Sequence, residues 1–261
     1  MATALTLDKL TGGYSSRKPV LHEVSFDIQP GEMMGLIGLN GAGKSTAIKH
    51  VLGLMLPQSG EVRVAGLRLA DDRDRYRSSC AYVPEQPSLF PNLTVAEHLR
   101  WTETAYGLDA QAAARRTEAL AETFRMKHAM GALPGTLSKG MRQKVMLMNA
   151  LLVSPPLLII DEPFLGLDPL ATRALVQALN EARAAGSAIL LSSHILPALE
   201  RNADRIVVLH QGRILAGGTP GEVKQAAGAA GSDYTLDDAF ERLILAADEK
   251  AAPPEGGAVR G

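Results

Sequence analysis

Gly38-Leu39-Asn40-Gly41-Ala42-Gly43-Lys44-Ser45 fits the spacing of a phosphate-binding loop. Glycines at these positions let backbone N–H groups turn inward around phosphate oxygens, and a helix opening near Lys44 would aim its positive dipole end at the same anion. Lys44 can then reach the β- and γ-phosphates. Ser45 offers a hydroxyl to Mg²⁺, and Thr46 offers its hydroxyl or amide to the α-phosphate. A second stretch, Leu157-Leu158-Ile159-Ile160-Asp161-Glu162, is an apolar run that ends in two carboxylates. Neighbouring strand residues point in different directions, which separates their roles. Asp161 is expected to hold Mg²⁺ through water, and Glu162 to orient and deprotonate an attacking water. A Gly-rich turn that merely fits the pattern, or a solvated acidic turn before Pro163, is the bland alternative to each. Their joint presence argues for one ATP or GTP site.

Both stretches need a scaffold, and the hydrophobic pattern supplies one. Residues 3 to 30 alternate apolar and polar positions around turn signals at Gly12-Gly13 and Pro19, with Val24, Phe26 and Ile28 on one face, which predicts a small antiparallel β lobe. Met33 to Ile37 reads as a buried strand entering the glycine loop, and Lys44 to Leu54 as the helix leaving it. Glu61 to Val64 and Ala81 to Val83 read as further strands. From Leu93 to about Leu152 the pattern is predominantly helical, broken at Gly107, Gly131 and Leu133 to Gly135. Two continuous apolar runs, Leu157 to Ile160 and Ala188 to Leu191, flank the helical stretch Pro169 to Ala185 and imply a parallel sheet covered by helices. Ile206 to Leu209 and Arg213 to Leu215 read as a closing hairpin. The expected class is therefore α/β: a P-loop core over 1–86 and 154–225, a helical subdomain over 87–153, a helical extension over 226–250 and a disordered Ala/Gly/Pro tail over 251–261.

Composition narrows the function classes. With 261 residues and 46% hydrophobic content, burying a core is no difficulty. Against 27 basic residues stand 28 acidic ones, for a formal charge of -1, so a surface for the nucleic-acid backbone is not expected. The single cysteine, Cys80, sits in SSCAYV and reads as strand packing. MATALTLDKL lacks the pattern of a signal peptide, and the apolar stretch Leu151 to Ile160 is short and interrupted by Pro155-Pro156. The expectation is a cytoplasmic chain without a membrane span.

Further residues fall in a fixed order: Tyr14 near the start, Gln86 in YVPEQPSLF, Leu137-Ser138-Lys139-Gly140-Met141, Gly166-Leu167-Asp168, and His194 in LLSSHIL. Together with the two stretches above, they make the chain resemble the ABC ATPases across nearly its whole length. The resemblance implies that Tyr14 stacks on adenine and that Gln86 is the Q-loop glutamine touching Mg²⁺ or the attacking water. It implies that Leu137 to Met141 is the signature motif, that Asp168 belongs to the D-loop, and that His194 is the switch histidine near the γ-phosphate. Ser138 and the Gly140 amide would contact the γ-phosphate held by a second ATPase subunit, so ATP would join two subunits as a sandwich. Taken alone, Tyr14 could be a surface tyrosine, Gln86 a turn cap, and His194 a satisfied strand-end histidine.

Three positions depart from the common pattern: Lys139 replaces glycine, Met141 replaces glutamine, and Leu165 stands where a small polar residue is usual. LSKGMRQK, IIDEPFLGLDPLATR and the late TLDDAFERLI, from Thr235 to Ile244, resemble Ecs-type and ABC-2-like bacterial exporter ATPases. The resemblance implies an ATPase using ATP and Mg²⁺ to drive a separate membrane-spanning permease. Leu89, Phe90, Pro91 and Leu93 would supply apolar surface for docking it. A soluble ABC protein acting on ribosomes or nucleic acid is the competing class. It usually carries two nucleotide domains or long coiled-coil arms, and here there is neither a repeated P-loop nor a sustained heptad pattern. A low-turnover regulator is the third reading, should the altered signature disable hydrolysis.

Overall fold

The protein is described by a computed structural model over residues 3–15, 17–228 and 234–251; the expectation for the last ten residues lies outside them. The chain opens with β1 (Leu5–Gly12) and β2 (Leu21–Ile28), an antiparallel pair with Leu7 opposite Phe26. Then come β3 (Met33–Ile37), α1 (Lys44–Val51), β4 (Ser59–Val64), α2 (Arg73–Ser78) and β5 (Cys80–Val83). Strand β4 pairs with β1, so the first lobe is a three-stranded sheet of order β2-β1-β4. Helix α1 stops short of the expected Leu54. Its C-cap is Leu52, and Gly53 takes φ +66°, a left-handed conformation that glycine adopts without penalty and that breaks the helical path.

The helical stretch resolves into α3 (Val95–Ala105), α4 (Ala110–Thr123) and α5 (Lys139–Val153). A capping box starts α3, Thr94 and Glu97 satisfying one another's backbone N–H groups. Asp109 caps α4, and Gly107 at φ +60° turns the chain between the two helices. The return to the core is β6 (Leu157–Asp161), α6 (Pro169–Ala184), β7 (Ala188–Ser192), α7 (Leu196–Asn202), β8 (Arg205–His210), β9 (Arg213–Gly218), α8 (Pro220–Ala226) and α9 (Leu236–Ala251).

Six of these strands form one sheet of order β5-β6-β7-β3-β8-β9, parallel throughout except for the antiparallel β8–β9 hairpin. Alternation along its strands divides the interior in two. Met33, Ile37, Leu158, Ile160, Ile189 and Leu191 face a core shared with α3 to α7, whereas Met34, Leu36, Leu157, Ile159, Ala188 and Leu190 face a core shared with α1 and the first lobe. Continuous apolar runs are what a sheet buried on both faces requires. The architecture is the expected α/β class, a helix-covered parallel sheet joined to an antiparallel β lobe and a helical subdomain. The C-terminal ends of β3, β6 and β7 lie side by side, with Asp161 paired to Ser192 and Leu36 paired to the same Ser192. Three loops that carry the marked residues therefore leave the sheet at one edge, where open α/β sheets bind ligands.

Candidate functional site

Strand β3 delivers the chain into residues 38–43, and close packing selects the glycines there. A Cβ on Gly38 would stand 2.3 Å from the Leu209 carbonyl oxygen of β8, and one on Gly43, at φ +111°, would stand 2.8 Å from the Leu21 side chain. Gly43 is also the N-cap of α1 and offers no side chain to cap it, so the first-turn amides have no side-chain acceptor there. Lys44 Nζ donates to the carbonyl oxygens of Gly38 at 2.6 Å and Leu39 at 3.4 Å, folding its ammonium over the loop. Burial pushes this ammonium below the ordinary lysine value, against the opposite pull of the Glu162, Asp161 and Glu85 carboxylates. The lysine thus sits half-buried among groups whose charge it offsets.

Two cavities flank the loop and share Leu39 and Asn40. One, of about 390 Å³, is lined by Gly38, Glu85, Glu162, Ser193, His194, Leu196 and Phe240; the other, of about 370 Å³, is lined by Tyr14, Val20 and residues 41–46. A larger groove of about 660 Å³ between α6 and α7 contains none of the residues marked by the sequence.

The two carboxylates at the end of β6 diverge sharply. Asp161 remains in the strand and accepts from the Ser192 hydroxyl of β7. Burial pushes the Tyr82 hydroxyl up to about 12, and the adjacent Asp161 charge acts in the same direction. Glu162 turns out of the strand at φ +51°, a left-handed conformation that costs a non-glycine residue on the order of 1 kcal/mol and marks a backbone held by its surroundings. Its N–H donates to the Ser192 carbonyl at 3.0 Å, and its side chain, largely buried, lines the first cavity. Glu162 Oε2 lies 2.9 Å from His194 Nδ1 and accepts from the His194 backbone N–H at 3.2 Å. Oε1 has no protein partner among the described residues. The structure therefore brings Lys44, Asp161, Glu162 and His194 to one place from three strands and the helix that follows the first.

The remaining marked residues are placed differently. Tyr14 is exposed beside the second cavity, its hydroxyl accepting from Lys49 Nζ at 3.0 Å, a bond that lowers its pKa. Gln86 lies exposed in the bend after β5 and makes no hydrogen bond among the described residues; the preceding Glu85 is the residue that lines the cavity. Ser138 is the N-cap of α5, its hydroxyl accepting from the Met141 N–H at 3.2 Å. A Cβ on Gly140 would stand 3.1 Å from the Gly166 carbonyl, so the 137–141 motif abuts the 166–168 loop. Neither Ser138 nor Gly140 lines the two cavities. Asp168 caps α6 by accepting from the Ala171 N–H at 2.8 Å, a bond that holds its carboxyl below the usual aspartate range.

The sequence reading singled out neither His98 nor Phe240. His98 is buried, accepts from the Phe90 N–H through Nε2 at 2.9 Å and approaches the Thr94 carbonyl through Nδ1 at 2.8 Å, which fixes the loop before α3. Phe90 stacks on its ring and meets Trp101 edge-on, both aromatics remaining exposed. For Phe240 the available signal was the amphipathic spacing of Leu236, Ala239, Phe240, Leu243 and Ile244.

A family profile described as "ABC transporter" matches residues 21–165, which include the loop, the 137–141 motif and the Asp161–Glu162 pair. The chain belongs to the ABC transporter family. It is 47% identical over 239 residues to the ABC-type transporter ATP-binding protein EcsA of Bacillus subtilis, covering 92% of this chain and 96% of that one. It is also 36% identical to the Nod factor export ATP-binding protein I of Burkholderia lata, over 78% of this chain and 67% of that one. A solved ATP-binding subunit of an ABC transporter superposes with a TM-score of 0.89 at 48% identity, covering 92% of this chain and 99% of the other. The chain is accordingly an ATP-binding subunit of an ABC transporter and an ATPase. No helix among the described residues is long and apolar enough to cross a membrane.

Proposed function

We propose that this ABC ATPase closes around ATP as a two-subunit sandwich and drives a separate permease that exports its substrate. The observation that carries the hydrolytic part is the convergence of Glu162 and His194 at 2.9 Å in a cavity walled by the phosphate loop. His194 holds one carboxylate oxygen of Glu162 through both its backbone and its ring, which leaves the other to take the proton of an attacking water. Lys44 and the uncapped start of α1 bind the phosphates that water attacks. Asp161 and Ser45 are hard oxygen donors beside this cradle. They fit Mg²⁺, which takes few protein ligands and completes its shell with phosphate and water. Bound there, Mg²⁺ would neutralise charge developing on the phosphates. Tyr14 is placed to stack on the base at the far end of the loop. Gln86, exposed on the bend that joins the two lobes, would approach the cation only when the lobes rotate.

The 137–141 motif stands apart from this chain's own cavities, which supports a role in completing the site of a second subunit. Ser138 and the Gly140 amide, at the start of α5, would meet the partner's γ-phosphate, with Asp168 alongside. Hydrolysis then removes the anion that holds the two together. The exporter reading rests on the relative named for Nod factor export and on the Ecs-type wording of the motifs. Phe90 and Trp101, exposed on the helical subdomain with Pro91, are where the permease would dock on the cytoplasmic face of the membrane.

The test is recovery of tagged Glu162→Gln protein from mildly solubilised membranes, with parallel measurement of ATP binding and steady-state phosphate release. The expected outcome is a co-purifying polytopic membrane protein, retained ATP binding, and turnover lowered by about 10² to 10⁴. Recovery with ribosomes instead would overturn the permease, and normal turnover would overturn Glu162 as base.

A further inference from the structure

Helix α9 touches the hydrolytic site at a distance of some eighty residues along the chain from Glu162, and it is tied down at both ends. At its start Thr235 and Asp238 form a reciprocal cap, and the Leu236 N–H donates to Glu200 Oε2 of α7 at 3.1 Å. Glu200 is itself held by Lys224 of α8 at 2.8 Å. Near its end Asp248 Oδ1 meets His210 Nε2 at 2.9 Å and accepts from Gln211 Nε2 at 3.3 Å. Those two residues lead into Gly212, whose N–H donates to the Ala42 carbonyl of the phosphate loop at 2.9 Å. One end of α9 is thus fixed to the helix that follows His194, and the other to the turn that supports the phosphate loop.

Between these ties Leu236, Ala239 and Ile244 are buried, while Phe240 projects far enough to share a cavity wall with Glu162, His194 and Leu196. Helix α7 starts two residues after His194 with no side-chain cap. Its other face is pressed onto β3, where a Cβ on Gly35 would stand 3.2 Å from Leu199. Packing from α9 on one side and β3 on the other therefore determines where α7, and with it His194, can sit.

We propose that α9 is a strap that sets the switch histidine against the catalytic carboxylate, with Phe240 as a positioning residue acting through Leu196 and α7. The proposal rests on the roles assigned above to Glu162 and His194. Truncating Phe240 would let α7 and the 193–195 segment relax into the cavity, so the Glu162–His194 contact would be made for a smaller fraction of the time. Nucleotide binding, which depends on the phosphate loop and Tyr14, would be little affected.

The experiment measures steady-state ATPase of the full chain with its permease for wild type, Phe240→Ala, Phe240→Leu, His194→Ala and the Phe240→Ala/His194→Ala double variant, with Glu162→Gln as reference. Phe240→Ala is expected to lower kcat about tenfold with KM within twofold, and Phe240→Leu to recover most of the loss. In the His194→Ala background Phe240→Ala should cost nothing further, because a residue that acts only through His194 is silent without it. Asp248→Ala, which releases the distal tie and leaves the aromatic in place, should lower kcat in the same direction. A wild-type kcat in Phe240→Ala overturns the strap, as does a loss that appears in KM alone or multiplies undiminished on His194→Ala. Those outcomes leave the base assignment standing, whereas undiminished turnover in Glu162→Gln would overturn that assignment itself.

Discussion

At the scale of single residues, His194 grips one carboxylate oxygen of Glu162 through ring and backbone, beside the loop that holds Lys44. Gly38 to Thr46 and Asp161-Glu162 declare themselves because a phosphate cradle and a strand-end carboxylate pair are local patterns. Residues 85 and 86 do not, because an open bend can point either side chain inward, and here Glu85 rather than Gln86 faces the cavity. Glu162 could be named from sequence, but its left-handed backbone and its double contact with His194 arise from pairing with β7. Cys80 carries a prediction at this scale. Burial pushes its thiol up to about 11, above the ordinary value, so at pH 8 the unreactive thiol form predominates. A disulfide reagent should therefore leave the native protein unmodified at pH 8 over minutes and titrate one thiol per chain in denaturant. Prompt reaction of the folded protein would show that β5 opens at its edge.

At the scale of elements, the long apolar runs and strong turn signals gave the strands and the larger helices. Short helices escaped, since α2 and α7 have six and seven residues and complete fewer than two turns of periodicity. Their positions are dictated by contacts distant in sequence, such as the Tyr76 hydroxyl donating to the Val51 carbonyl at 2.7 Å. One such contact joins three elements. Asp204 Oδ2, just before β8, accepts from the Met33 N–H of β3 at 2.8 Å and pairs with Arg183 of α6, whose Nε donates to the Gly31 carbonyl at 3.1 Å. Removing this carboxylate leaves the Met33 N–H and the Arg183 Nη2 without that acceptor, while Arg183 Nε keeps the Gly31 carbonyl. Asp204→Ala should cost about 1–2 kcal/mol, a fall in Tm of roughly 3–6 °C by calorimetry for a domain of this size. An unchanged Tm would mean that water substitutes for the carboxylate at the mouth of β3.

At the scale of the whole molecule, one chain holds the phosphate loop and Glu162 at one sheet edge, and the 137–141 motif elsewhere. In the proposed sandwich, this arrangement is complete only when doubled. In the presence of ATP and Mg²⁺ the Glu162→Gln protein should sediment as a dimer, and with ADP as a monomer; a monomer under both conditions would remove the sandwich from the mechanism. Near-neutral charge is compatible with such pairing, since two copies with a formal charge of -1 repel weakly.

The single tryptophan, Trp101 on α3, lines neither cavity beside the phosphate loop and is 59% exposed, edge-on to Phe90. The protein thereby carries its own optical reporter on the face assigned to the permease. Free subunit should emit at the red wavelengths of a hydrated indole and be quenched readily by iodide. Nucleotide alone should leave that spectrum nearly unchanged, while the permease should shift it to the blue and shield it from the quencher. Fluorescence titration can then read docking separately from ATP occupancy, with no label added to the chain.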